Sequence, residues 1–382
     1  MKIALITNSR IPSLTANSIQ AMKVAQALMQ LNHEVKMFAP KETETPNQEL
    51  LITHYGLKLA PEIEFLPSIK GFKRLDFIFH TQNAAKKFGA DLIYTWLPQS
   101  AVLGLWSGYP VVLEMHADNS GLLGVWWMKK FWKAKGKKLM TVTTQALKNA
   151  LETSTKLKLN NEAVLVAPNG VELERYVNLP NPSEARNQLN LKQGLTVGFT
   201  GHIYAGRGAD LLFELAKQMP NVNFLWVGGT PELVEGWRNK LREANIKNVT
   251  MTGFVKHDVI HLYQAASDIL LMPYSSSISA SSGQDIAEVI NPMKMFEYMA
   301  SGRAIVSADL PSIREVLNEG NAVFVGVVEE GNRELGIGNW KMEIEKLLAD
   351  ESLRVKLGNQ ARKDVERFSW VKREEKILNK LN

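Results

Sequence analysis

The stretch Asn291-Pro292-Met293-Lys294-Met295-Phe296-Glu297-Tyr298-Met299-Ala300-Ser301-Gly302-Arg303-Ala304-Ile305-Val306 reads as a short helix opened by a proline and stopped by Ser301-Gly302, then a buried parallel strand. The free amides of its first turn, with the positive end of the helix dipole, form a ready site for a phosphate or pyrophosphate. Glu297 sits one turn in, where its carboxylate can accept a hydrogen bond from a sugar hydroxyl beside that phosphate. The plainer alternative is an ordinary helix-to-strand junction of an α/β domain. The stretch alone does not choose between them.

Working outward, apolar β runs recur along the whole chain. They fall at 3–7, 34–39, 62–66, 91–96, 111–116, 139–144 and 164–167 in the first half. In the second half they fall at 195–200, 222–227, 249–254, 268–272, 304–308 and 322–325. Amphipathic stretches such as 18–30, 211–218, 232–243 and 259–265 separate them. Such alternation predicts an α/β protein whose parallel sheets carry helices on both faces. A chain of 382 residues is long for one core, and about two domains of 100–200 residues are expected. The expectation is two doubly wound, Rossmann-like domains, 1–177 and 184–367, facing a cleft where the carboxyl ends of both sheets meet one ligand. The Asn-Leu-Pro-Asn-Pro-Ser segment at 178–183 reads as the linker, and 368–382 as an amphipathic tail.

Composition narrows the chemistry. The chain has no cysteine, which excludes disulfides, thiolate catalysis and Cys-ligated metal centres and points to a reducing cytoplasm. No apolar run approaches the ~18 residues of a spanning helix. A net charge of +6 favours anionic partners. Much of it lies at 122–139, where Lys129, Lys130, Lys133, Lys135, Lys137 and Lys138 follow Leu122, Leu123, Trp126 and Trp127. Two readings stand there: a face for an anionic membrane, or a packed helix with tryptophans in the core and wet lysines. No recognised nucleic-acid module is present. Neither are an Asp-x-Asp, a His-x-x-x-His helix or a P-loop, so no metal and no nucleoside triphosphatase chemistry are expected.

Two further places carry candidate residues. The run at 195–200 leads into Gly201-His202-Ile203-Tyr204-Ala205-Gly206-Arg207-Gly208, a glycine-rich loop between strand and helix that lets backbone approach phosphate oxygens. Arg207 can add an always-charged fork; the alternative is a tight turn with a solvated arginine. In Val111-Val112-Leu113-Glu114-Met115-His116, period 2 puts Glu114 and His116 on one face at a strand's carboxyl end. Glu114 and Asp118 read as orienting groups. In the first βα turn, Ser18 reads as a helix N-cap.

The 291–306 stretch resembles the donor-site signature of retaining GT-B glycosyltransferases of family 4. Pro292, Lys294, Glu297, Met299, Ala300 and Gly302 match its Pro-x-Lys-x-x-Glu-Tyr-Met-Ala-x-Gly branch. The family's first glutamate falls at Val289 here, with Glu288 and Asp285 the nearest acids. The loop 201–208 is similar to the family's Gly-Arg-Leu-x-x-x-Lys-Gly loop, with His202 in place of the arginine and Arg207 in place of the lysine. The resemblance is close over the second half and loose over the first, where a Gly-Gly pair is replaced by Thr15-Ala16-Asn17-Ser18.

The resemblance implies metal-independent transfer of a sugar, glucose first, from a UDP-sugar with retention. The acceptor would be a glycan or lipid-linked, in polysaccharide or glycoconjugate synthesis. Gly201, His202, Arg207, Glu288, Asn291, Pro292, Met293, Lys294 and Glu297 would hold the donor, with Arg207 and His116 at the reaction and the tail helix packed on the first domain. An inactive nucleotide-sugar-binding partner subunit, or an epimerase or hydrolase of the same fold, stays open.

Overall fold

Each run expected as a strand is one, with ends displaced by no more than two residues. The reason is visible in the burial: Ile3–Ile6 and Ile269–Met272 are wholly inaccessible, as strands covered on both faces must be. This computed structural model describes residues 1–41, 45–69, 75–118, 121–204, 206–278 and 285–382. The chain divides into two compact units, Met1–Asn169 with Trp370–Asn382, and Gly170–Ser369.

In the first unit the strands are β1 (Lys2–Ile6), β2 (Glu34–Pro40), β3 (Glu62–Leu66), β4 (Leu92–Thr95), β5 (Val111–Met115), β6 (Lys138–Val142) and β7 (Val164–Val166). They pair in parallel in the order β3-β2-β1-β4-β5-β6-β7. The terminal helix Trp370–Leu381 belongs to this unit and packs on the helix Ala16–Gln30 and on β6.

The second unit holds β8 (Thr196–Thr200), β9 (Asn223–Val227), β10 (Val249–Gly253), β11 (Ile269–Met272), β12 (Ala304–Ala308) and β13 (Val323–Val325). They are parallel too, in the order β10-β9-β8-β11-β12-β13. Strand order reverses between β8 and β11, and the crevice outside the carboxyl ends at such a point is where ligands bind in doubly wound sheets.

Three local expectations are corrected. The segment 178–183 is not a loose link. It lies inside the second unit, where Asn181 caps the helix Pro182–Gln188 in a capping box and the Pro180 carbonyl accepts from Arg303 at 2.8 Å. Its second proline occupies the first helical position, a role that needs no flexibility. Ser18 does not cap the first helix. The helix starts at Ala16 after Thr15, and buried Ser18 hydrogen-bonds the Tyr55 hydroxyl instead. Pro292 stands at the N-cap of the helix Met293–Ser301 rather than inside it. Gly302 ends that helix in the left-handed conformation expected of it, at φ 67°.

One contact fixes this helix against its neighbour. Gly358 lies within the helix Glu351–Asp364, and a Cβ there would stand 2.1 Å from the Gly302 carbonyl oxygen. A Gly→Ala change in a helix interior ordinarily stabilises by roughly 0.5–1 kcal/mol, whereas overpacking against backbone costs about 1–3 kcal/mol. The clash wins. Gly358→Ala is expected to lower the thermal midpoint, and a variant melting at or above wild type would show that the two helices separate freely.

Candidate active site

At the carboxyl end of β8 the chain turns through the glycine-rich loop, described except for Ala205, into the helix Ala209–Gln218. The loop lies directly on the segment that follows β11. A Cβ at Gly208, where φ is 90°, would be 2.1 Å from the Pro273 carbonyl oxygen, so no other residue fits. The Ser275 amide donates to the Gly206 carbonyl at 3.2 Å. A glycine after β9, absent from the expected site, is as tightly placed. At Gly228 a Cβ would be 2.4 Å from the Gly201 carbonyl oxygen. Its signal was the Gly228-Gly229 pair closing an apolar strand.

The helix Met293–Ser301 is clamped to the same place by Tyr298, whose hydroxyl oxygen accepts the Thr200 amide at 2.8 Å. Helix geometry leaves the first-turn amides of Met293 and Lys294 available to a ligand. Buried Asn291 and the capping Pro292 precede them. The Lys294 Nζ is buried without a hydrogen-bond partner, 3.8 Å from the centre of the Phe199 ring and 5.2 Å from that of Tyr274. It also stands within 3.4 Å of the position a Cβ on Gly201 would take. Burial pulls its ammonium well below the ordinary lysine value; Arg207 adds to this, and Glu297 partly opposes it. The Arg207 guanidinium stands 5.8 Å from the Tyr274 ring centre, and its Nε is buried without a partner. Burial pushes the Tyr274 hydroxyl up to about 12, with Arg207 resisting.

Glu297 is oriented by a residue that the sequence did not single out. Gln264, fully buried, donates from Nε2 to Glu297 Oε2 at 3.0 Å and accepts the Tyr176 hydroxyl on Oε1 at 2.8 Å. Gly201, Arg207, Lys294 and Glu297 thus come together around the end of β8. His202 turns to Tyr204, ring on ring at 4.9 Å and 15°. Glu288 is exposed on the short turn Ala287–Val289. Asp285, the other acid near the missing glutamate, is occupied in shaping that turn. Its Oδ1 accepts the amides of Ile278 and Ala287, each at 3.0 Å, and these bonds lower its pKa.

In the first unit, β5 delivers Glu114 and His116 to one face as the period predicts. Glu114 Oε1 accepts from His116 Nε2 at 2.7 Å, Gln20 Nε2 at 2.7 Å and Arg373 Nη2 at 2.6 Å. Its Oε2 accepts from the Tyr94 hydroxyl, and from Arg373 Nη1 at 3.3 Å. Burial alone would raise this carboxyl, but Arg373 and His116 hold it at about 2. Burial pushes neighbouring Glu374 up to about 7, against the pull of Arg373. Arg373 also donates to the carbonyls of Pro168 at 2.9 Å and Ala167 at 3.2 Å. Asp118 accepts from Ser154 Oγ at 2.8 Å.

TuaH of Bacillus subtilis, assigned as a teichuronic acid biosynthesis glycosyltransferase, is 32% identical over 162 residues, which are 42% of this chain and 38% of TuaH. An uncharacterized glycosyltransferase of Methanocaldococcus jannaschii is 23% identical over 324 residues, 81% of each chain. The crystal structure of Anabaena HepE with UDP-glucose, at 17% identity, superposes over 100% of this chain and 99% of its own with a TM-score of 0.75. The family described as "Glycosyl transferases group 1" matches residues 194–350, and "Glycosyltransferase Family 4" matches 18–175. With each description covering most of one unit, the chain belongs to the group 1, family 4 glycosyltransferases of GT-B fold.

Proposed function

We propose that the protein transfers a hexosyl group, glucose first, from a UDP-sugar to a glycan or lipid-linked acceptor, with retention and without a metal. The observation that carries this reading is the buried, partnerless ammonium of Lys294 beside Arg207, Gly201 and the first turn of the helix Met293–Ser301. Two cations and outward amides form a receptor for a diphosphate. When the glycosidic bond breaks, negative charge grows on the leaving diphosphate, and fixed donors in a dry site stabilise it with little reorganisation. Glu297, held by Gln264, accepts the ribose hydroxyls, and His116 serves the donor sugar. Support for the donor class comes from HepE, solved with UDP-glucose, and for a polymeric acceptor from TuaH.

A lipid-linked acceptor is favoured by the helix Leu122–Lys133. It buries Met128 and Phe131 and leaves Leu122 (93%), Leu123 (56%) and Trp126 (45%) exposed. Of its tryptophans, Trp126 is exposed while Trp127 and Trp132 are half-buried, and Met128 and Phe131 carry the core side. Lys129, Lys130 and Lys133 are exposed beside them, with the Lys130 ammonium 5.1 Å from the Trp126 ring centre. Lys138 is not part of this face: it turns in to donate to the carbonyls of Phe131, Trp132 and Ala134, capping the helix end. Apolar side chains rimmed by lysines match an anionic lipid surface. Among the described residues no helix is long and apolar enough to cross a membrane.

Three outcomes are expected. Lys294→Met removes the dry charge while keeping the volume. UDP affinity should fall by about 1.5–3 kcal/mol, the range for a charge-assisted hydrogen bond, while the free protein melts no lower than wild type. Because the ammonium is depressed in the free protein, its burial costs stability in full below the depressed pKa, and the cost fades as pH rises from there to the ordinary lysine value. A bound diphosphate pulls the lysine back towards its ordinary value, so calorimetry in buffers of different ionisation enthalpy, repeated across a range of pH, should show proton uptake with wild type that the variant lacks. Unchanged UDP affinity would sink the site.

Transfer from UDP-glucose, followed by UDP release, should survive EDTA; dependence on added Mn²⁺ would reverse the metal-free reading. Finally, the protein should sediment with anionic but not neutral vesicles, less so as salt rises, since each lysine contributes about 1 kcal/mol. Changing Lys129, Lys130 and Lys133 together to Ser should abolish sedimentation and leave UDP binding intact. Failure of wild type to bind anionic vesicles at low salt would remove the membrane from the proposal.

A further inference from the structure

The carboxylate of Glu114 is ringed by donors: the Gln20 amide, the Tyr94 hydroxyl and both terminal nitrogens of Arg373, with His116 Nε2 at 2.7 Å. An oxygen so surrounded keeps no proton of its own to give, so the hydrogen in the His116 contact must come from the ring. A neutral imidazole has one such hydrogen, and placing it on Nε2 leaves Nδ1 as a bare acceptor. The alternative tautomer would set two lone pairs against each other at 2.7 Å in a half-buried place.

We propose that Glu114 is a positioning residue that holds neutral His116 as its Nε2–H tautomer, leaving Nδ1 to accept a hydrogen bond from a substrate hydroxyl, and that Arg373 on the terminal helix keeps Glu114 aligned for this task. Glu114 and His116 share one face of β5, while Tyr94 comes from β4 and Gln20 from the first helix. Arg373 and Glu374 come from Trp370–Leu381, and Arg373 is itself fixed by the carbonyls of Ala167 and Pro168. Neutral His116 then acts as an acceptor. It cannot donate to a sugar oxygen from its remaining nitrogen without first taking up a proton. The substrate half of this inference rests on His116 serving the donor sugar; the tautomer does not.

The test begins with the full chain labelled with ¹⁵N-histidine. Long-range ¹H–¹⁵N spectra are assigned by loss of one set of signals in His116→Gln, one of seven histidines. Above its titration, His116 should show a protonated Nε2 and an unprotonated Nδ1. A dominant Nδ1–H form in wild type overturns the proposal, and this measurement needs no folded variant of Glu114. In Glu114→Gln the tautomers should mix and kcat for UDP release from UDP-glucose should fall at least tenfold, with UDP affinity unchanged. Arg373→Lys, which keeps the charge but loses the fork, should fall between the two. Loss of activity with the wild-type tautomer retained would make the cluster purely an anchor for the helix, against the proposal. An Nε2–H tautomer with full activity in His116→Gln would instead remove His116 from the donor sugar.

Discussion

A lysine ammonium held dry between two aromatic rings is the constraint around which the second unit is arranged. Taking a charge out of water without a counter-charge is among the costliest things a fold can do, and the usual relief is loss of the proton. Lys294 is kept in that position by the bond from the Thr200 amide to Tyr298, by the glycines that let the loop lie on the segment after β11, and by the Gly302–Gly358 approach behind the helix. None of these contacts benefits from the charge. Their combined effect is a buried ammonium without a hydrogen-bond partner, the feature on which the proposed diphosphate site rests.

The first unit resolves the same problem the other way. Arg373 is as deeply buried, yet two carboxylates and two backbone carbonyls surround it. Removing one partner of such a pair costs about 3–5 kcal/mol, because the other charge is then stranded. The arginine is thus paired from within its own unit. One unit keeps a cation waiting; the other keeps a histidine aligned.

The architecture was legible because strands of parallel sheets are continuous apolar runs, and those runs stand out whatever the rest of the chain does. The loop at 201–208 and the helix at 293–301 were legible for a similar reason: glycine and proline announce backbone geometry locally. What stayed hidden depends on distance in the chain. Glu114 and Arg373 lie 259 residues apart, and nothing in an amphipathic tail distinguishes an arginine aimed inward from one in water. Gln264 lies in a six-residue helix and looks like an ordinary polar surface residue, yet it is fully buried between Tyr176 and Glu297. Prolines at 180 and 182 signalled a break in regular structure, but they sit at a capped helix start. Local rules predicted local geometry; side-chain partnerships across the fold lay beyond them.

The first unit is assembled from two segments, Met1–Asn169 and Trp370–Asn382, that flank the second in sequence. Synthesis runs from the amino terminus, and domains tend to fold as they emerge. The second unit is continuous and can close as soon as Ser369 is available, whereas the earlier-made sheet must wait for Trp370–Asn382. Until then Glu114 has no arginine, and a carboxylate meant for the interior must stay hydrated or take up a proton. Of the two units, the first is therefore the later to have all its residues. A nonsense codon before Trp370 therefore strips Arg373 from the surroundings of a histidine encoded more than two hundred residues earlier.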